Sequence, residues 1–218
     1  MTLPRLYAVI DADVAAAHGW TVIDLARACL DGGASCLQLR AKSRPLQWTL
    51  DAADAIVTMA AGAAIVIVND RADVARLSGA SGVHLGQDDL SPADARRVTG
   101  AKGSIGLSTH TRAQVDAAIL EPIDYFAVGP IYGTATKDTG YQPVGHGLIR
   151  YAAERARAQE GDLFPVVAIG GITLDRAADV IAAGASSVAV ISDLLVGGNP
   201  AGRVKRFIER LTGAEAAL

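Results

Sequence analysis

Polar side chains at alternate positions follow an early apolar run of this 218-residue chain. The segment "QLRAK" places Gln38, Arg40 and Lys42 two residues apart, so that they share one face when the segment is extended. Two of the three are cationic and their neighbours are apolar. We interpret the triplet as a binding site for an anionic ligand, with a solvated strand end as the alternative.

Carboxylates follow the next two apolar runs. Asn69 and Asp70 come directly after "AIVIV", while Asp88 and Asp89 follow "GVHLG". Carboxylates from neighbouring strands that faced one cavity would repel each other, so we expect a cation between them. So few hard oxygen ligands favour Mg²⁺, which keeps several waters and is shared with a substrate phosphate. The alternative for Asp70 is that it caps the following helix.

A third segment, "YFAVGPIYGTATKDTG" at 125–140, changes from apolar residues to glycines, hydroxyls and a lysine. Thr134, Thr136 and Lys137 lie on this glycine-containing stretch. We interpret it as a loop that closes over a charged ligand; a strand that runs into a surface loop is the alternative.

The bulk composition excludes several classes of protein. Half of the residues are hydrophobic and the formal net charge is -3, which indicates a sizeable core and argues against a nucleic-acid binder. Two cysteines are too few for a disulfide framework or a four-thiolate zinc site. No signal-peptide layout and no membrane-length apolar stretch is visible. We expect a cytoplasmic protein without nucleic-acid or membrane partners; a homo-oligomer stays open.

The elements that position these residues alternate along the chain. Short Val- and Ile-rich runs begin near 6, 36, 64, 82, 104, 125, 166 and 187, and helical patterns lie between them. Eight such units predict a single (β/α)8 TIM barrel over residues 1–218, in which chemistry occurs at the C-terminal ends of the strands. A doubly wound open sheet is the rival, but the first run lacks its glycine-rich fingerprint.

The last two strand ends predict a phosphate site. Barrels commonly bind a phosphate at these two loops, and the glycines of "AIGGIT" would let backbone N–H groups approach an anion. We expect a cradle formed by Gly170, Gly171, Ile191 and Ser192, without a lysine or arginine nearby. Together with the cationic and acidic site, this arrangement favours a reaction that joins two phosphorylated molecules.

In order and spacing, these motifs resemble the thiamine-phosphate synthase family. The likeness covers nearly the whole chain and rests on "QLRAK", "VNDRADVA", "GVHLGQDDL", "IGLSTHT", "YFAVGPIYGTATK", "AIGGIT" and "VAVIS". It implies a transferase that condenses a pyrimidine methyl pyrophosphate with a thiazole phosphate. The products are thiamine phosphate and pyrophosphate, formed by a dissociative, Mg²⁺-assisted substitution.

The resemblance also implies a role for each candidate residue. The pyrimidine pyrophosphate would be bound by Gln38, Arg40, Lys42, Asn69, Ser108 and Lys137. The thiazole phosphate would be bound by Thr134, Thr136, Gly171, Ile191 and Ser192. One Mg²⁺ ion, bridging to the substrate pyrophosphate, would be held by Asp70 and Asp89. The groups that promote departure of pyrophosphate would be Lys137, Arg40 and Lys42.

The chain departs from the family pattern at single positions, and two rival functions share parts of that pattern. Gly133 stands where the family commonly has proline, and Asp193 stands where a small apolar residue is common; Asp193 is interpreted as pointing outward from the next helix. A thiazole tautomerase of the same superfamily, which relies on a histidine equivalent to His110, is one rival. A non-catalytic phosphate-binding barrel is another.

Overall fold

A computed structural model describes residues 2–133, 140–157 and 164–213 of the chain. Within these ranges, parallel strands close into a barrel in the order of the sequence. The strands are β1 Leu6–Asp11, β2 Cys36–Arg40, β3 Ile65–Asn69, β4 Gly82–Leu85, β5 Ser104–Thr109, β6 Tyr125–Val128, β7 Val166–Ile169 and β8 Ser187–Val190. The predicted barrel is confirmed, and the open doubly wound sheet is wrong.

Helices separate consecutive strands and cover the outside of the barrel. They are α1 Ala12–Ala17, α2 Val22–Asp31, α3 Leu46–Ala60, α4 Ala72–Leu77, α5 Pro92–Thr99, α6 Arg112–Ala118, α7 Gly145–Arg157, α8 Leu174–Ala182 and α9 Pro200–Gly213, with a 3₁₀ segment at Ser192–Gly198. Their ends follow local chemistry. Ser91 caps α5 by accepting the Asp94 N–H at 3.1 Å, and Pro92 occupies the first helical position.

Closure of the barrel depends on pairing between the first and last strands. Leu6 pairs with Val188, and Ala8 pairs with Val190, in parallel register. The strands are almost fully buried because helices cover one face and the barrel interior covers the other. Because all of the strands are parallel, their C-terminal ends lie at the same rim of the barrel, where the candidate residues are expected.

The interior of the barrel is filled in part by aromatic and polar side chains. Tyr7 and Tyr125 are fully buried there, with their ring centroids 6.1 Å apart. Gly106 on β5 leaves the space that they need: a Cβ at this position would lie 2.1 Å from Tyr125 Cζ and 2.5 Å from His84 Nδ1. Gly106 is thus a steric requirement of the interior.

No helix in the described ranges is long and apolar enough to cross a bilayer. Cys29 and Cys36, the two cysteines of the chain, are buried as free thiols. The assignment of residues 1–218 to one domain stays a prediction.

We predict that Gly106→Ala destabilises the barrel, because the added methyl group has no space between Tyr125 and His84. The free energy of unfolding should fall by about 2 kcal/mol or more in urea titrations. Gly147→Ala is the control: it lies in α7, and its Cβ would meet nothing within 4 Å. That change should leave stability equal or raise it by up to about 1 kcal/mol. Equal stability of the two variants would contradict the steric argument.

Candidate active site

A cavity of about 610 Å³ opens at the C-terminal ends of the strands. It is the place where a TIM barrel performs chemistry. The predicted site residues that line it are Gln38, Arg40, Asn69, Ser108, Gly170, Gly171, Ile191 and Ser192, whereas Lys42, Asp70 and Asp89 are not among its lining residues. The structure therefore brings the proposed pyrimidine residues and the proposed phosphate cradle to one cavity.

The two predicted metal ligands lie beside each other near this cavity. Asp70 directly follows the lining residue Asn69, and its Oδ2 lies 3.0 Å from Lys42 Nζ. Burial raises the pKa of Asp70; Lys42 opposes this effect, and the neighbouring Asp89 carboxylate adds to it. Asp89 is held in turn by the Gly86 N–H, which donates to Asp89 Oδ2 at 2.6 Å. The two carboxylates are thus close enough to influence each other, and their role as metal ligands stays a prediction.

Asp70 does not cap the following helix. Arg71 is the residue that precedes α4, and no side chain accepts a capping hydrogen bond there. Asp70 instead has a left-handed backbone with φ of 63°, which few non-glycine residues adopt. A strained residue held in place at a strand end indicates a functional constraint.

The donor set at this position fits a hard cation with few protein ligands. Asp70 and Asp89 provide carboxylate oxygens, and the described residues contain no cluster of three or more His, Cys, Asp or Glu side chains that could form a closed metal cage. Mg²⁺ is commonly held by one or two carboxylates and completed by water and substrate phosphates. The pair is therefore compatible with Mg²⁺, which stays a prediction.

Arg40 is fixed by a partner that the sequence analysis did not identify. Its guanidinium forms an ion pair with Asp11, a buried residue at the end of β1. Asp11 also accepts the N–H groups of Asp13 and Val14, each at 3.0 Å, and so begins α1. One carboxylate thus starts a helix and orients the cation at the rim.

A chain of hydrogen bonds crosses the barrel interior along the lining of the cavity. Gln38 Nε2 donates to Tyr7 Oη at 2.8 Å, and Tyr7 Oη lies 2.9 Å from Tyr125 Oη. Tyr125 Oη is 3.1 Å from His84 Nδ1, and His84 Nε2 is 2.9 Å from Ser108 Oγ. Burial raises the pKa of both tyrosines, so they stay protonated at neutral pH. Gln38 and Ser108, the two residues predicted to contact the pyrimidine, lie at the two ends of this hydrogen-bond chain.

The glycine pair after β7 has a packing role. Gly170 and Gly171 have φ of 102° and 62°. A Cβ at Gly170 would lie 2.6 Å from Pro130 Cα, and one at Gly171 would lie 2.6 Å from the Gly133 carbonyl oxygen. Glycine is required because the turn after β7 lies directly against the segment after β6. The cradle and that segment are therefore in contact.

Two expectations about the cradle are wrong. Asp193 does not point outward: it is buried, accepts the Leu174 N–H at 3.1 Å and pairs with Arg203 Nη2 at 2.7 Å. The cradle also has an arginine nearby, because Arg176 lines the same cavity and donates from Nη1 to the Gly171 carbonyl oxygen at 3.2 Å. Arg176 lies in the first turn of α8, shortly after the glycines in the chain, and its side chain extends back toward Gly171.

Three predicted site residues, Thr134, Thr136 and Lys137, lie outside the described residues. The described chain stops beside them at Gly133, which lines the cavity. His110 lines it too, and its ring stacks on Tyr141 with centroids 4.0 Å apart.

Comparison with known proteins places this geometry in a family. Residues 6–194 match the family model described as thiamine monophosphate synthase. The chain belongs to this family. A thiamine-phosphate synthase of Koribacter versatilis is 40% identical over 213 residues, covering 97% of each chain. One of Methanoculleus marisnigri is 42% identical with the same coverage. The solved thiamine phosphate pyrophosphorylase of Pyrococcus furiosus superposes with a TM-score of 0.84 at 25% identity, covering 96% of both chains.

Sequence reasoning on this thiamine monophosphate synthase family member missed Asp11, Tyr7 and Tyr125. Asp11 carried a signal, since it ends "LYAVID" as Asp70 follows "AIVIV". The tyrosines carried none, because a buried aromatic residue in a strand is typical of any core.

We predict that Asp193→Ala lowers the free energy of unfolding by about 3 kcal/mol, because Arg203 is left buried and without its partner. The double variant Asp193→Ala/Arg203→Leu should recover part of that loss, since removing both charges leaves no buried ion. Urea titrations of wild type, single and double variants measure both effects. A double variant less stable than Asp193→Ala would contradict this account of the pair.

Proposed function

We propose that the chain is a thiamine-phosphate synthase that joins a pyrimidine methyl pyrophosphate to a thiazole phosphate at the described cavity. The observation that carries the proposal is one rim with facing carboxylates, Asp70 and Asp89, beside the cations Arg40 and Lys42. Relatives about 40% identical over nearly the whole chain bear that name, so the predicted activity is confirmed at the level of the reaction.

The pyrimidine occupies the side of the cavity formed by β2, β3 and β5. Gln38 and Ser108 offer an amide and a hydroxyl to the ring, and the hydrogen-bond chain between them fixes their orientation. Asn69, Arg40 and Lys42 lie toward the pyrophosphate. The thiazole phosphate occupies the side formed by β7 and β8, where Gly171, Ile191 and Ser192 provide the cradle. Thr134 and Thr136 are assigned to the same substrate.

The chemical step breaks a carbon–oxygen bond, and its electron pair leaves on pyrophosphate. The pyrimidine amino group donates electron density to the methylene carbon, and the thiazole nitrogen then forms the new carbon–nitrogen bond with its lone pair. The chain's task is to stabilise the charge that leaves and to hold the two rings in line. Arg40, Lys42 and Lys137 supply cations at the pyrophosphate, and the apolar side chains Ala127 and Val167 limit the access of water to the reacting carbon.

Mg²⁺, held by Asp70 and Asp89, would add positive charge at the departing pyrophosphate. Asp70 suits this role because its carboxylate is partly buried, close to a second carboxylate, and disfavoured as a bare anion. Lys42 alone offsets only part of that repulsion. A divalent cation would remove the rest.

The direct test mixes the pure protein with both phosphorylated rings and follows thiamine phosphate and pyrophosphate by chromatography. Product should form with Mg²⁺ and stop when EDTA is added or when either ring is omitted. Interconversion of thiazole phosphate isomers without Mg²⁺, and without condensation, would instead support the tautomerase. Binding of either phosphorylated ring without any turnover would support the non-catalytic barrel.

We predict opposite effects of Asp70→Asn on stability and on activity. The pKa of Asp70 is raised from its ordinary 3.8, so the folded state holds this proton more tightly than the unfolded chain does. Stability therefore falls as pH rises through that raised value, and the ionised carboxylate disfavours folding at pH 7. Without Mg²⁺, Asp70→Asn should raise Tm at pH 7, while turnover should fall about 100-fold or more.

Asp73→Asn is the matched control for this test. Arg71 lowers the pKa of Asp73, so its ionised form favours folding, and neutralising it should lower Tm at pH 7. Adding Mg²⁺ should raise the Tm of wild type and of Asp73→Asn but not that of Asp70→Asn. A lower Tm for Asp70→Asn, or an unchanged Mg²⁺ effect, would contradict the assignment.

A further inference from the structure

Arg176 lies at the edge of the phosphate cradle although the cradle motif itself contains no cation. Its Nη1 donates to the Gly171 carbonyl oxygen at 3.2 Å, and its Cζ lies 4.6 Å from the centroid of the Tyr132 ring. These two contacts orient the guanidinium over the turn after β7. The side chain also lines the cavity that contains Gly171 and Ser192.

The electrostatic surroundings of Arg176 differ from those of two other arginines near the cavity. Arg40 is paired with Asp11, and Arg203 is paired with Asp193 inside the protein. No described carboxylate lies within ion-pair distance of Arg176, and its Nε and Nη2 donate to no described residue. Its positive charge is therefore not neutralised by the described part of the chain, and donors remain available for a ligand.

Asp193 creates the need for such a cation. It lines the cavity, and its carboxylate takes up the Leu174 N–H at the start of α8. The Asp193 carboxylate thus accepts a backbone N–H group at this helix end that a bound anion could otherwise use. Arg203 offsets the charge of that carboxylate, so Asp193 and Arg203 together bring no net positive charge to the cradle, and Arg176 is a cation beside it.

We infer that Arg176 binds the monophosphate of the thiazole substrate and determines the preference of this chain for the phosphorylated ring. This inference rests on the proposed function. Arg176 is a binding residue remote from the reacting carbon, so its contribution should be similar before and during the chemical step. A residue of that kind changes KM and leaves kcat nearly unchanged.

The test compares Arg176→Ala and Arg176→Lys with wild type by calorimetry. The two ligands are thiazole phosphate and the same thiazole carrying a free hydroxyl group. A charge-assisted contact at a solvent-exposed position is worth about tenfold in affinity. We expect Arg176→Ala to weaken thiazole phosphate binding about tenfold and to leave the unphosphorylated ring unaffected. Arg176→Lys should recover part of the loss, and KM in the synthase assay should rise while kcat stays within about twofold.

Arg206→Ala is the control, because it removes the same charge from the exposed outside of α9. It should bind both ligands as wild type does. Unchanged phosphate affinity in Arg176→Ala would overturn the inference, and so would an equal loss for both ligands, which indicates a structural role through Tyr132. Calorimetry needs no turnover. Failure of wild type to form thiamine phosphate therefore counts against the proposed function, while the Arg176 comparison is still decided.

Discussion

Repulsion between two neighbouring carboxylates is the interaction around which the rim of this barrel is organised. Asp70 and Asp89 follow consecutive strands, and each has a contact that holds it near the other: Asp70 pairs with Lys42, and Asp89 accepts the Gly86 N–H. The folded chain therefore holds an unfavourable charge arrangement, which the proposed Mg²⁺ ion would relieve. A stability cost of this kind is typical of functional sites, where activity takes precedence over the most stable packing.

Elsewhere around the cavity, supporting side chains hold the candidate substrate-binding residues in position. Asp11 orients Arg40, the hydrogen-bond chain through Tyr7, Tyr125 and His84 joins Gln38 to Ser108, and Asp193 joins the start of α8 to α9. The proposed dissociative substitution would require little proton transfer, so positioning would be the main contribution of the protein to it. The supporting residues therefore matter as much as those that would contact substrate.

Much of this arrangement could be predicted because it depends on patterns within short stretches of the sequence. Val- and Ile-rich runs gave each strand to within about one residue, and a barrel sends every strand end to one rim, so Gln38, Asn69 and Ser108 could be assigned to a common cavity. The pairings between side chains could not be predicted in this way. Arg203 forms its ion pair with Asp193 across the 3₁₀ segment, and Arg176 extends back toward Gly171. Such pairings depend on three-dimensional proximity, which a single sequence does not encode in its spacing.

The closure between β1 and β8 has a consequence for how such a site can arise. Groups assigned to the pyrimidine come mainly from the first half of the chain, whereas the phosphate cradle comes from its last two strands. The two halves are joined by the pairing of β4 with β5, and the pairing of Leu6 with Val188 closes the ring between them. A fragment with half of the barrel would thus carry one of the two proposed substrate sites. Only the closed eight-stranded barrel would bring both substrates together.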